Sequence, residues 1–125
     1  MPDKSYLDWP FFEARHKRLA ADLEAFAEDG LSGIDLHAAE NAELDKACRA
    51  IVERLGAAGL INHACVVEPD GRFDVRSLCL TRDILARHAG LADFAFAMQG
   101  LGTGPISLFG TEEQRNTYLP PVQKG

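Results

Sequence analysis

The chain has no apolar run long enough to cross a membrane, and nothing like a secretory signal follows its first residues, Met1-Pro2-Asp3-Lys4-Ser5. The expected location is therefore the cytoplasm. Concentrated positive charge is also missing: 13 Lys and Arg stand against 19 Asp and Glu, a formal net charge of −6, and the basic residues form no stripe. Neutralising a phosphate backbone needs such a stripe, so the composition argues against a nucleic-acid partner. Cysteine is scarce as well. Cys48, Cys65 and Cys79 are odd in number and stand at no metal-ligand spacing to one another or to His16, His37, His63 and His88. They read as buried reduced thiols, with no metal site and no catalytic histidine.

What is present is 125 residues, 46% of them hydrophobic, enough for one core. The apolar period is helical almost throughout. Phe12, Leu19, Leu23 and Phe26 make one stripe, and Pro10 suits a first helical turn, so a first helix is expected from Pro10 to Glu28, ended by Asp29-Gly30. A second should run from Asn41 to Ala58 on Leu44, Ala47, Cys48, Ile51, Leu55 and Ala58, with Asp45 and Arg49 paired one turn apart and Gly59 as its stop. INHACVV, residues 61–67, has the only strand character, and Pro69-Asp70-Gly71 signals a turn. Asp74 offers an N-cap to a third helix from Val75 to His88, with Val75, Leu78, Cys79 and Leu85 inward, Arg87 and His88 in its last turn and Gly90 as its stop. A fourth helix begins near Leu91 and carries Phe94, Ala97, Met98 and Leu101 along one side. The expected fold is all-α, an up-and-down bundle of about five helices.

That fourth helix runs into QGLGTGP, residues 99–105, with glycine at alternate positions. A phosphate loop would need a Gly-Lys-Ser/Thr ending, and a dinucleotide fingerprint would need a preceding strand; neither context is there. Pro105 disfavours helix at Gly104, so the helix is expected to end near Gly102 and a short one to start at Pro105 and stop at Gly110. Thr111-Glu112-Glu113-Gln114 forms a capping box that should open a fifth helix, closed near Leu119 by Pro120-Pro121. Glu112 and Glu113 then face the helix dipole as first-turn residues rather than serving as a catalytic pair. Glycine in a broken helix also admits a backbone or a flat ligand.

From Leu101 to Gly125, LGTGPISLFGTEEQRNTYLPPVQKG, the chain resembles the flavin-dependent acyl-CoA dehydrogenases, in their N-terminal helical domain. Gly110, Glu112, Glu113, Gln114, Arg115, Tyr118, Leu119, Pro120 and Gly125 stand where that family's pattern has them, and the Trp9 to Glu13 and Cys48 to Leu60 segments look similar. One departure is the stretch from Ile61 to Gly71, where family members carry a Pro-Glu-x-Tyr-Gly-Gly-type loop.

The resemblance implies that residues 1–125 are such a domain, with a β-domain and a C-terminal helical domain expected after 125. It implies an FAD-dependent oxidoreductase of fatty acid metabolism that dehydrogenates an acyl-CoA thioester between its α and β carbons. FAD is held mainly by parts beyond residue 125. The catalytic base also lies outside this segment, electrons leave to an electron-transfer flavoprotein, and the complete protein is a homotetramer or dimer. By the same resemblance Phe94, Ala97, Met98 and Leu101 are the candidates for one wall of the acyl pocket, where Phe and Met would favour a short, branched or cyclic acyl group. Their spacing is equally that of bundle core. The alternative function is a free-standing helical interaction module without catalysis.

Overall fold

The computed structural model describes residues 3–68 and 72–125, and its elements are helical: a short 3-10 turn Ser5–Asp8, α1 Ala14–Ala25 running into one wide turn Phe26–Gly30, α2 Asn41–Ala57, a second 3-10 turn Leu60–His63, α3 Val75–His88, α4 Gly90–Phe109 and α5 Glu112–Lys124. This is the all-helical bundle expected. Helices α3, α4 and α5 alternate in direction, and α1 lies on α3 in the same sense, because its first turn meets Asp74 and its last meets Arg87 and His88. The core gathers Leu23, Ile51, Leu55, Leu60, Ile61, Ile84, Leu85, Phe96 and Leu119.

Three helix starts are set by side chains. Asp74 accepts the Ser77 amide (3.4 Å) and hydroxyl (2.7 Å), which caps α3 at the expected residue. In α5 the Gln114 amide donates to the Thr111 hydroxyl (3.2 Å), and the Thr111 amide donates to the Gln114 side chain (2.9 Å). Helix α1 starts at Ala14, not at Pro10, because the Glu13 amide donates to Nδ1 of His16 (2.9 Å), fixing Glu13 as the extended residue before the helix.

Three expectations about breaks are corrected. Helix α4 does not end at Gly102: it continues through Pro105 to Phe109. Helix α5 does not close at Leu119 but passes Pro120 and Pro121 to Lys124. Each proline removes one amide donor from the ladder, and the three carbonyls so orphaned belong to the exposed residues Leu101, Asn116 and Thr117, where water can replace the donor. Thr103 adds a hydroxyl bond to the Gln99 carbonyl (2.6 Å) across the same stretch. Residues 61–67 form no strand. Gly59, in the left-handed region at φ 71°, turns the chain into the 3-10 turn, and Ala64, Cys65 and Val66 are then buried in succession, with no ladder among the described residues. Pro69-Asp70-Gly71 lies outside the described residues. Gly90 opens α4 rather than only stopping α3; the extended Ala89 between them makes the corner.

Other side chains pin the connections. Arg54 donates to the carbonyls of Gly30 and Ser32, both at 2.7 Å, and Gln123 donates to the Cys65 carbonyl at 2.8 Å. Glu24 at the end of α1 accepts from His88 (2.6 Å), Lys4 (3.0 Å) and Arg87 (3.1 Å). Burial alone would push the Glu24 carboxyl up; the bonds from His88, Lys4 and Arg87 outweigh it and hold the group at about 2. Of the thiols, only Cys65 is buried as expected; Cys48 is half-buried and Cys79 exposed, and all three are free.

Helices α2 and α5 touch backbone to backbone: a Cβ on Gly56 would run into the Lys124 carbonyl and the Gly125 amide. Gly56→Ala should therefore lower stability by about 1–3 kcal/mol. Gly102→Ala, in mid-helix with nothing within 4 Å of the added carbon, should raise it by about 0.5–1 kcal/mol. Paired thermal melts check this, and equal signs would contradict the packing. Because the folded Glu24 value lies below the unfolded one of about 4.3, its contribution is complete above that pH and is lost as pH falls through the folded value. Urea titrations should show Glu24→Gln less stable than the parent at neutral pH, with the gap closing as pH falls from about 5 towards about 2.

Candidate functional site

Helix α4 spans 20 residues and carries one charged side chain, Asp93. A helix apolar on every side is normally covered on every side. Here one face, Ala92, Ala95, Phe96, Thr103 and Ser107, is buried in the bundle, while the opposite face leaves Phe94 55%, Leu101 69%, Leu108 51% and Phe109 86% exposed. Covering any one of these large side chains would contribute about 1.5–3 kcal/mol. Contiguous exposed apolar surface of this kind marks a place where something binds.

Two grooves flank that face. Between α3 and α4 lies one of about 420 Å³. Its α4 wall is Ala97, Gly100, Leu101, Gly104 and Leu108, its α3 wall is Val75, Leu78 and Arg82, and Phe73 and Ala64 complete it. On the other side of α4, between α4 and α2, Phe94 and Met98 border a groove of about 370 Å³ with Cys48, Arg49, Val52 and Glu53. The four residues singled out from the sequence are thus divided: Ala97 and Leu101 share the first groove, Phe94 and Met98 the second.

The helical stripe was legible, but the α3 wall was not. Val75 and Cys79 were expected inward and are exposed, while Leu80, Thr81 and Ile84 take the buried positions. A shift of the stripe's phase by about one residue accounts for it, and the stretch Leu80, Ile84, Leu85 carried that signal. Cys79 borders a separate recess near Tyr6 and Phe12. Gly104 was legible only as a helix breaker. Its place on the groove wall follows from the helix continuing, so its missing side chain widens the groove. Gly100 instead lets α4 approach Ala64, whose methyl lies 3.3 Å from where a Cβ would stand.

The glycines do not form a cradle for a diphosphate. Gly100, Gly102 and Gly104 all sit inside α4, so their amides belong to the helical ladder rather than pointing together at an anion. Among the described residues no other glycine-rich turn replaces them, and these residues do not fit the diphosphate of FAD.

The densest polar cluster lies at the start of α3. Fully buried His16 accepts the Glu13 amide at Nδ1, so its proton is on Nε2, 3.2 Å from Oδ2 of Asp74. The same oxygen accepts from Arg15 and from the Ser77 hydroxyl. Burial would raise the Asp74 carboxyl, but the bonds from Ser77, Arg15 and His16 hold it far below the ordinary carboxylate range. Asp74 stands between the serine and the histidine, and both imidazole nitrogens are engaged. The Ser77 hydroxyl faces the Asp74 carboxylate, which Arg15 and His16 already engage and which is held too acidic to take its proton, so the cluster is a clamp between helices rather than a nucleophile and its base.

Comparison with known proteins agrees with the all-helical fold. A model of the acyl-CoA dehydrogenase N-terminal domain matches residues 13–125. Over 116 residues the chain is 31% identical to a probable acyl-CoA dehydrogenase of Bacillus subtilis strain 168, a match that covers 91% of this chain and 19% of that protein. The chain thus spans about a fifth of the length of the curated relative it matches.

Since the outer face of α4 contributes nothing to the core, Leu101→Asp should change stability by no more than about 0.5 kcal/mol. The same substitution should reduce the fluorescence of an apolar dye such as anilinonaphthalene sulfonate bound to the protein. A loss of stability of several kcal/mol would place Leu101 inside the bundle instead.

Proposed function

Because the chain belongs to the acyl-CoA dehydrogenase family, through its N-terminal helical domain, we propose that the groove between α3 and α4 is one wall of the acyl pocket of an FAD-dependent enzyme that dehydrogenates an acyl-CoA thioester between its α and β carbons. The observation that carries this reading is the outer face of α4, apolar along its length and bordered by a groove of about 420 Å³. Aliphatic and bare-backbone walls suit a hydrocarbon chain, which is held by burial without hydrogen bonds. Ala97, Gly100, Leu101, Gly104 and Leu108 on one side and Val75 and Leu78 on the other would fix the direction of that chain and keep water from it. Phe94 and Met98, on the far side of α4, would border the acyl site only indirectly, by packing against whatever covers the second groove.

When bound, FAD supplies the acceptor for the β-hydrogen as hydride. Within the proposal FAD, the carboxylate base that removes the α-proton, a β-domain and a C-terminal helical domain all belong to polypeptide outside residues 1–125. So do the contacts of a homodimer or homotetramer and the site that meets an electron-transfer flavoprotein. No helix among the described residues is long and apolar enough to cross a membrane, in keeping with the proposed place in the cytoplasm.

The test is the visible spectrum of the protein purified from its complete reading frame. A flavin spectrum that bleaches on anaerobic addition of acyl-CoA thioesters is the expected result. A colourless protein, or a flavin that no thioester reduces, would overturn the reading. Within an active enzyme, Gly104→Trp should fill the groove and raise KM at least about tenfold for longer acyl chains relative to short ones, the loss of one well-packed apolar contact. Steady-state kinetics over a chain-length series checks it.

A further inference from the structure

Among the described residues lining the groove between α3 and α4, Arg82 alone has a hydrogen-bonding side chain. Its Nε and Nη2 donate to the two oxygens of Asp93, both at 2.8 Å, and its side chain is half exposed while Asp93 is largely covered. A side-on fork uses one edge of the guanidinium. Five N–H donors are available in all, and the Nη1 edge is turned away from Asp93.

The pair is neutral as a unit. A carboxylate brought to Arg82 would meet a cation already compensated and the field of Asp93 behind it. A hydroxyl, carbonyl or ether oxygen needs only an N–H to accept and brings no charge into an apolar groove. Resting on the acyl-pocket reading above, we propose that Arg82 selects acyl groups that carry a neutral oxygen at their far end, and that Asp93 sets this preference by neutralising it. Among the described residues no other polar side chain lines the groove, so an oxygen at another depth finds no side-chain partner on the α3 and α4 walls.

The experiment uses the complete protein and three CoA thioesters of equal length, tipped by a methyl, a hydroxyl and a carboxylate group. The parent should prefer the hydroxyl-tipped thioester to the carboxylate-tipped one by about tenfold or more in kcat/KM, the scale of one hydrogen bond to a charged donor. Arg82→Met should lower the hydroxyl-to-methyl ratio of kcat/KM about tenfold, mainly through KM, and Arg82→Lys should restore part of it. Asp93→Asn, which leaves the cation uncompensated, should raise the carboxylate-to-hydroxyl ratio by about tenfold.

If Arg82→Met slows all three thioesters equally, or the parent prefers the carboxylate, the proposal is overturned while the acyl-pocket reading stands. If none of the three is turned over and none reduces the flavin, both fall. Should Arg82→Met not fold, an Asp93→Asn protein with unchanged ratios overturns the proposal by itself.

Discussion

Asp74 is the residue on which the arrangement depends. A single carboxylate caps α3 through Ser77, receives Nε2–H of His16 from the first turn of α1, and is paired with Arg15. Arg76, the second residue of α3, reaches back to the Phe11 carbonyl (2.7 Å) and to Glu13 (2.9 Å), so the entry to α1 is tied to the same point. With the start of α3 fixed, Val75, Leu78 and Arg82 fall on one line along the helix, and the Ala89 corner sends α4 back antiparallel beside them. The groove is the space between those two lines. Its direction follows from the antiparallel course of α3 and α4, which Asp74 holds at one end and the Arg82–Asp93 fork at the other.

Helix α4 combines requirements that conflict in an isolated helix. Three glycines and a proline lie within six residues, each unfavourable in a helix interior, yet the helix continues. The inner face explains this, since Phe96, Thr103 and Ser107 are held in the core on both sides of the glycines and packing outweighs propensity. The outer face has no such return within the described residues: nothing meets the position of a Cβ on Gly102 or Gly104. Of the two, Gly104 borders the groove, where its bare backbone leaves room beside Leu101 and Leu108.

Much of the fold was legible because the signals were local. Asp74 as a cap, the Thr111 to Gln114 box and the apolar period of α2 each depend on residues within a turn of one another, and each stands where the sequence puts it. What failed depended on the surroundings. Whether Pro105, Pro120 and Pro121 end a helix is decided by whether the orphaned carbonyl meets water, which their own sequence does not state. Residues 61–67 showed strand character because a buried apolar run looks the same in either state, and the segment instead opens with a turn wedged among α2, α3, α4 and α5. His16 gave no sign of its role, because one of its partners, Asp74, lies 58 residues further along the chain, although the other, Glu13, is three residues away. At the site, Ala97 and Leu101 were legible as an apolar helical pair, but their separation from Phe94 and Met98 was not, since both pairs share one exposed stripe and only the neighbouring helices divide it.

The most direct measurement is where an acyl chain lies. An acyl-CoA bearing a photoreactive diazirine at the end of its chain, bound to the complete protein and irradiated, would insert into whatever surrounds that end, and peptide mapping would identify it. Labels within residues 73–82 and 97–108, the two walls of the groove, are the predicted result. Labels confined to α2 and the second groove, or absent from this domain altogether, would contradict the account.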